Sequence, residues 1–320
     1  MSGPRVAVIG CGSFGRNHLR VVSSTPGATL THAIDSDLDR AQKAAAEFGA
    51  ARPSADWRDA IGHADAAIIA APTTAHAEIG TALLAAGLDI LVEKPIADSS
   101  EGAQRLVEAG RLNARILQVG HLERFNPAVV ALRRVAKLPL FFEIHRMNQF
   151  APRSLDVDVV LDLMIHDIDL VLALTGQMPE EVRAAGIRIL SEKVDIANVR
   201  LAFPNGCVAN LTASRVSTER VRKMRMFQPH QYISVDYGRQ DGVAFTVGEN
   251  RQIGFEQLSA ERKEPLVAQW EAFLECVRTR QEPQAGGEAA TRALAVCLDI
   301  LDKIEVHAER VNLTLSQYAV

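Results

Sequence analysis

The chain has 320 residues, of which 48% are hydrophobic and 23% charged, with a formal net charge of −4. That length holds two domains or one large one, and the mildly negative balance argues against a surface built for nucleic acid or for acidic lipid. No apolar run reaches membrane-spanning length and the N-terminus leads directly into a strand, so no membrane segment is expected.

Arg5 to Ile9 is an apolar β run that breaks into Gly10-Cys11-Gly12-Ser13-Phe14-Gly15. The spacing is G-x-G-x-x-G, after a strand and before a helical pattern, which is the context that gives this loop meaning. Gly10 allows the tight turn, Gly12 lets the backbone approach a pyrophosphate, and Gly15 lets the helix pack against the strand. The helix N-terminus, opening at Ser13 and Phe14, then offers N–H groups and a positive dipole end to the phosphates. A second apolar run ends at Ile34, and Asp35 follows it, twenty residues past Gly15. A carboxylate there accepts from a ribose 2′-OH and repels a 2′-phosphate, which favours NAD over NADP. Ser36, Asp37 and Leu38 put no arginine beside it, although Arg40 is near.

Strand patterns at 5–9, 29–34, 65–70, 88–92 and 115–119 alternate with helical ones near 14–24, 37–48, 76–86 and 99–110. Alternating β and α predicts a parallel sheet with helices on both faces. A short helix near 127–136, a strand at 139–147 and an apolar helix at 160–174 follow. From 181 to 257 the chain reads as successive strands, with Pro204-Asn205-Gly206 the clearest hairpin turn. Two helices, near 264–279 and 287–309, close the chain. The expectation is a Rossmann dinucleotide-binding domain at 1–122, then an α+β domain at 123–320 with an open, mostly antiparallel sheet. Cys11, Cys207, Cys276 and Cys297 form no C-x-x-C pair and read as reduced thiols of a cytoplasmic protein.

In a doubly wound sheet the ligand lies beyond the carboxyl ends of the strands. Ala71-Pro72-Thr73 with His76, Glu93-Lys94-Pro95, and Gly120-His121 with Glu123-Arg124-Phe125-Asn126-Pro127 all fall there. Lys94 can donate to a substrate oxygen, or it is a solvated surface lysine. On the apolar helix, Asp162, His166 and Asp169 recur at i, i+4 and i+7. Polar groups on a buried helix need partners or a wet cavity. A carboxylate one turn from an imidazole suits a general base; a satisfied structural histidine and a metal pair are the alternatives, the latter with no third ligand in view. Arg146, Arg153, Arg215, Arg220, Arg222, Lys223 and Arg225 supply either a diphosphate site or the charged edge of a sheet.

On Gly10-x-Gly12-x-x-Gly15, Pro72 with His76, Glu93-Lys94-Pro95, and Asp162-x-x-x-His166 with Asp169, the chain resembles the Gfo/Idh/MocA oxidoreductases over essentially its full length. The resemblance implies that Lys94 and His166 bracket the reacting sugar carbon, with Asp162 as their active-site partner and no catalytic metal. It implies NAD held by the glycine loop, Asp35, Ala71 to Thr73, His76 and Glu93-Lys94, and a homodimer or homotetramer built on the second domain. Where many members carry a glycine run, this chain has Asp156-Val157-Asp158-Val159-Val160. With the 119–127 segment, this resembles the narrower group of UDP-N-acetylglucosamine 3-dehydrogenases, whose keto products feed an aminotransferase and, in some bacteria, lipid A. Arg124, Asn126 and Arg153 are then expected at the substrate beside Lys94, Asp162 and His166. Another sugar or polyol substrate, or a non-catalytic NAD-binding regulator, would share most of these features.

Overall fold

The computed structural model describes residues 3–150, 157–248, 250–259 and 261–318. The chain forms two compact units, Met1–Leu122 with Lys263–Thr291, and Glu123–Arg262 with Arg292–Val320. The second differs from the expected continuous stretch 123–320, because α7 (Pro265–Thr279) returns to the first unit. Its buried Leu266, Trp270, Phe273 and Val277 join the core around Val6, Val8 and Leu19. An apolar helix stripe must be buried somewhere, and sequence order alone does not say against which sheet.

The first unit is a parallel sheet of β1 (Arg5–Ile9), β2 (Thr29–Ile34), β3 (Arg52–Ser54), β4 (Ala66–Ile69), β5 (Asp89–Val92) and β6 (Leu117–Val119). The order is β3-β2-β1-β4-β5-β6, that of two mononucleotide-binding halves with a switch point between β1 and β4. β4 and β5 are buried along their whole length, as strands covered on both faces must be. Helices α1 (Ser13–Ser24), α2 (Leu38–Phe48), α3 (Thr73–Ala85) and α4 (Ser100–Leu112) connect them. Asp37 caps α2 and Ser99 caps α4 through their side chains. β3 has no apolar run to announce it; Arg52-Pro53-Ser54 sits at the sheet edge, where a proline is tolerated.

The second unit is an eight-stranded sheet ordered β14-β13-β12-β11-β7-β10-β9-β8. Its strands are β7 (Phe141–Gln149), β8 (Glu181–Ile187), β9 (Ile196–Ala202), β10 (Val208–Ser217), β11 (Val221–Gln228), β12 (Gln231–Asp236), β13 (Asp241–Val247) and β14 (Ile253–Leu258). β7 and β10 pair in parallel, and the other neighbours run antiparallel. Helix α5 (Pro127–Val135), capped by Asn126, and α6 (Ile165–Thr175) share one core with the sheet. The expected helix at 160–174 begins as a π-turn, Val160–Met164, in which the Ile165 N–H bonds the Val160 carbonyl. Such turns are uncommon and concentrate at functional sites. The closing helix, α8 (Gly287–Tyr318), runs past its expected end.

Arg146 on β7 is 1% exposed. It forks onto Asp167 of α6, with Nε–Oδ2 at 2.7 Å and Nη2–Oδ1 at 2.8 Å, and its Nη1 reaches Glu123 at 2.9 Å. Burial alone would lower its affinity for the proton; Asp167 and Glu123 outweigh that and hold the guanidinium above its ordinary value. Breaking a buried pair from one side leaves an uncompensated charge. Asp167→Asn should therefore cost about 3–5 kcal/mol of stability in urea unfolding; a loss under about 0.5 kcal/mol, the range of a surface substitution, would show that the network holds nothing.

Candidate active site

Because the first sheet is parallel, the segments after β1, β4, β5 and β6 all emerge at its carboxyl edge. The glycine loop is shaped by crowding. Gly10 has φ +94°, and a Cβ on it would lie 2.4 Å from the Ala70 carbonyl oxygen; one on Gly15 would lie 1.8 Å from that of Gly10. Gly12 is the opposite case, since a Cβ there would meet nothing within 4 Å. Gly12 is also the N-cap of α1, and among the described residues no side chain caps that helix. Uncapped N–H groups beside open space fit a pyrophosphate. Ser13 and the 41%-exposed Phe14 stand at the same helix start.

Asp35 is buried and organises the loop. Its Oδ2 accepts the Cys11 N–H at 2.8 Å and its Oδ1 that of Asp37 at 3.0 Å. Arg40 Nη1 lies 3.1 and 3.3 Å from the two oxygens. Burial, with Asp35 beside it, pushes the Cys11 thiol up to about 11, so it is no nucleophile at neutral pH. The residues present fit a dinucleotide with a ribose diol at Asp35.

After β4, Ala71, Pro72 and Thr73 are partly or fully exposed, whereas His76 is buried. Its Nδ1 lies 2.9 Å from the Pro95 carbonyl and its Nε2 2.9 Å from that of Ala71. His76 thus lies between the β4 turn and the β5 turn, with a backbone carbonyl within reach of each ring nitrogen. The Lys94–Pro95 peptide is cis. Glu93 is likewise engaged internally: Oε1 meets His18 Nε2 at 2.8 Å, and Oε2 accepts the Lys94 N–H at 3.3 Å. The same carboxylate covers Gly120, where a Cβ would fall 2.5 Å from Glu93 Oε2. Lys94, half-buried, is held from behind by Glu93, His18, His76 and Gly120. His18 and Gly120 escaped the sequence reading; the signal for His18 was its place one turn after Gly15, on the buried face of α1.

In the second unit Asp162 lies on the π-turn and His166 opens α6, both half-buried. Asp169, expected on the same face, is 1% exposed and grips Arg124 through bonds of 2.7 and 2.6 Å. Asn126 is 3% exposed; its amide donates to Glu123 at 3.1 Å and to the Tyr237 carbonyl at 3.0 Å, while its oxygen caps α5. Arg124 and Asn126, expected at the substrate, are thus both engaged by bonds within the second unit. A guanidinium or amide this deeply buried must be satisfied internally, and both are. Arg153 lies outside the described residues. Among the described residues no three His, Cys, Asp or Glu side chains group to hold a metal, and no helix is long and apolar enough to cross a membrane.

A parallel 3-2-1-4-5-6 sheet, an uncapped glycine loop and a carboxylate at the end of β2 define a Rossmann-type NAD-binding oxidoreductase. Residues 4–121 match the family described as "Oxidoreductase family, NAD-binding Rossmann fold", and 103–229 match "GFO/IDH/MocA C-terminal domain". The UDP-N-acetylglucosamine 3-dehydrogenase of Acidithiobacillus ferrooxidans is 34% identical over 313 residues, covering 96% of this chain and 99% of that one. Its solved structure superposes with a TM-score of 0.90. Inositol 2-dehydrogenase 2 of Saccharopolyspora erythraea is 34% identical over 182 residues, 54% of each chain. Levoglucosan dehydrogenase, solved with NADH and levoglucosan, shares the fold at 18% identity and a TM-score of 0.87 over 95% of this chain and 97% of that one. The chain belongs to the Gfo/Idh/MocA oxidoreductase family, whose named relatives here are sugar and polyol dehydrogenases.

Two glycines separate cofactor binding from folding. Gly12→Ala should fold with a near-native Tm and lose NAD+ affinity, because its Cβ enters only the open space. Gly15→Ala should lose the fold, because its Cβ meets backbone. Equal thermal stability of the two variants would contradict this account. Asp35→Ala should weaken NAD+ binding and narrow its preference over NADP+, measured as two dissociation constants.

Proposed function

We propose that the protein oxidises the 3-hydroxyl of UDP-N-acetylglucosamine to the 3-keto sugar. The observation that carries this reading is the likeness to the Acidithiobacillus dehydrogenase, which extends over nearly the whole of both chains. The inositol dehydrogenase matches over about half of each chain. Bound NAD+ supplies the hydride acceptor. His166 takes the hydroxyl proton as general base, with Asp162 beside it in sequence and on the same helical run fixing its orientation. Lys94 orients the oxygen and stabilises its developing charge. The half-buried state of all three residues suits groups that must meet a substrate.

The 3-keto product is an electrophile suited to an aminotransferase, so the reaction belongs before amination to a 2,3-diamino sugar of the lipid A type. We place the enzyme in the cytoplasm, in keeping with four cysteines that form no disulfide and with a soluble nicotinamide cofactor. A homodimer or homotetramer is supported by a cross-strand aromatic row. Phe141, Phe227, Tyr232, Phe245 and Phe255 are register partners across β7, β11, β12, β13 and β14, and Phe255 is 64% exposed. An open apolar stripe of this kind marks an interaction surface.

The test is a panel of nucleotide sugars and polyols with NAD+, read at the reduced-nicotinamide absorbance and pulled by a coupled aminotransferase. UDP-N-acetylglucosamine should be turned over at C3; activity on inositol or free hexose alone would assign the protein to those substrates. His166→Asn should lower kcat by roughly two to four orders of magnitude at unchanged NAD+ affinity. Lys94→Met should also lower kcat, and the double variant should be little worse than the worse single one. Near-native turnover by folded His166→Asn would overturn the mechanism.

A further inference from the structure

The basic residues between the catalytic helix and the following strands are not equivalent in the structure. Arg146 is taken by Asp167 and Glu123. Arg215 bonds the Val157 carbonyl and lies 3.7 Å from Asp195. Arg225 pairs with Glu143 at 3.0 Å, and Lys223 lies 3.9 Å from Asp236. Among the described residues Arg222 has no such carboxylate. It stands directly opposite Arg146 in the β11–β7 ladder, hence on the same face, and its Nε is buried with no hydrogen-bond partner among the described residues.

Its surroundings do not satisfy a cation. Burial first, then Arg146 and Arg220, push the Arg222 guanidinium down from its ordinary value, against the weaker pull of Glu123 and Asp167. Those two carboxylates already accept from Arg146, and Glu123 also accepts from Asn126. Next to Arg222, Tyr237 donates its backbone N–H to the Arg222 carbonyl. The Tyr237 side chain is 3% exposed, yet its hydroxyl is another buried group without a partner among the described residues. A third is Asn148 Oδ1, two residues beyond Arg146 on the same face of β7. Buried polar atoms are almost always paired, and a half-satisfied guanidinium is costly. Three such atoms at one end of one sheet face suit a ligand with acceptors for an arginine and a donor for an amide oxygen.

We propose that Arg222, with exposed Arg220 at the rim, holds the diphosphate of a nucleotide-linked sugar. This rests on the nucleotide-sugar reading above and assigns its anion contact to one strand end. A diphosphate offers the arginine fork two acceptor oxygens, and the attached sugar or base carries hydroxyl or N–H donors for Asn148.

The test uses the full-length enzyme saturated with NAD+, so that the glycine loop is occupied. UDP, inorganic pyrophosphate and uridine are titrated calorimetrically into the native enzyme, Arg222→Gln, Arg222→Lys and Lys223→Gln, with Tm measured for each. Arg222→Gln should bind UDP and pyrophosphate about 10- to 100-fold more weakly, the loss of one charge-assisted contact. Uridine and NAD+ affinities should be unchanged. Arg222→Lys should fold and recover part of the loss, and Lys223→Gln should match the native enzyme. The KM for the nucleotide sugar should rise more than kcat falls. UDP bound equally by native and Arg222→Gln enzyme overturns the assignment, even if UDP-N-acetylglucosamine is the substrate. Pyrophosphate binding that needs Arg222, in an enzyme that oxidises no UDP-sugar, keeps the anion site and rejects the sugar. No pyrophosphate or UDP binding by the native enzyme overturns the site outright.

Discussion

One guanidinium fixes the geometry of the second unit. Arg146 rises from the middle strand of the open sheet and cannot be left charged and unpaired in that core. Asp167 and Glu123 are its only strong hydrogen-bond partners among the described residues, and they come from different elements. Asp167 lies in the first turn of α6, so the bidentate fork sets both the position and the rotation of that helix. Glu123 lies in the turn at 122–125 and also holds Asn126, which caps α5. A second fork, Arg124 onto Asp169, grips α6 about half a turn further on. With Asp167 and Asp169 both committed to arginines, the helix has no freedom to turn about its axis. The π-turn before it carries Asp162, and His166 follows in the first turn of α6, both half-buried where Asp167 and Asp169 are fully buried. Buried ion pairs add little net stability over an apolar core; what these provide is a single orientation for the helix that carries His166.

The first unit reaches the same end with main chain rather than charge. Gly10, Gly15 and Gly120 are each pressed against a carbonyl or a carboxylate, so the loops after β1 and β6 have one packing. The turn carrying Lys94 is held through both neighbours: Glu93 by His18, and Pro95 by His76. In both units the residues assigned to chemistry are half-buried, and Glu93, Arg124, Arg146, Asp167 and Asp169 beside them are buried and bonded within the protein. Preorganised groups of this kind need no rearrangement as charge develops on the substrate.

Most of this was legible in the sequence where it depended on local pattern. Periodicity and glycine spacing located the strands of the Rossmann sheet, its four helices and the anion loop, since these follow from neighbours within one turn or one strand. β3 was not legible because three residues at a sheet edge carry no period. The return of α7 to the first unit was not legible either, because an apolar stripe reports that a helix is buried and not where. At the site, residue type could mark Arg124, Asn126, Asp169 and His76 as unusual for their positions. It could not show which buried partners they would meet, because each has one that lies 19 to 111 residues away. The i, i+4, i+7 pattern on the helix was real in spacing but divided in use, with its third member turned to an arginine.

The Asp35–Arg40 pair shows how one carboxylate meets two demands. The Cys11 and Asp37 N–H groups use one lone pair on each oxygen, which anchors the glycine loop to the end of β2 before any ligand arrives. The remaining lone pairs face Arg40, whose side chain is 51% exposed. An ion pair with one arm in water is worth little, typically under about 1 kcal/mol, so a ribose diol can displace the guanidinium at small cost while the two backbone bonds stay in place. A 2′-phosphate would find the same arginine but would also meet a buried carboxylate that cannot leave, because the loop depends on it. The preference for NAD thus follows from what Asp35 does for the fold, and the nearby arginine moderates that preference without reversing it.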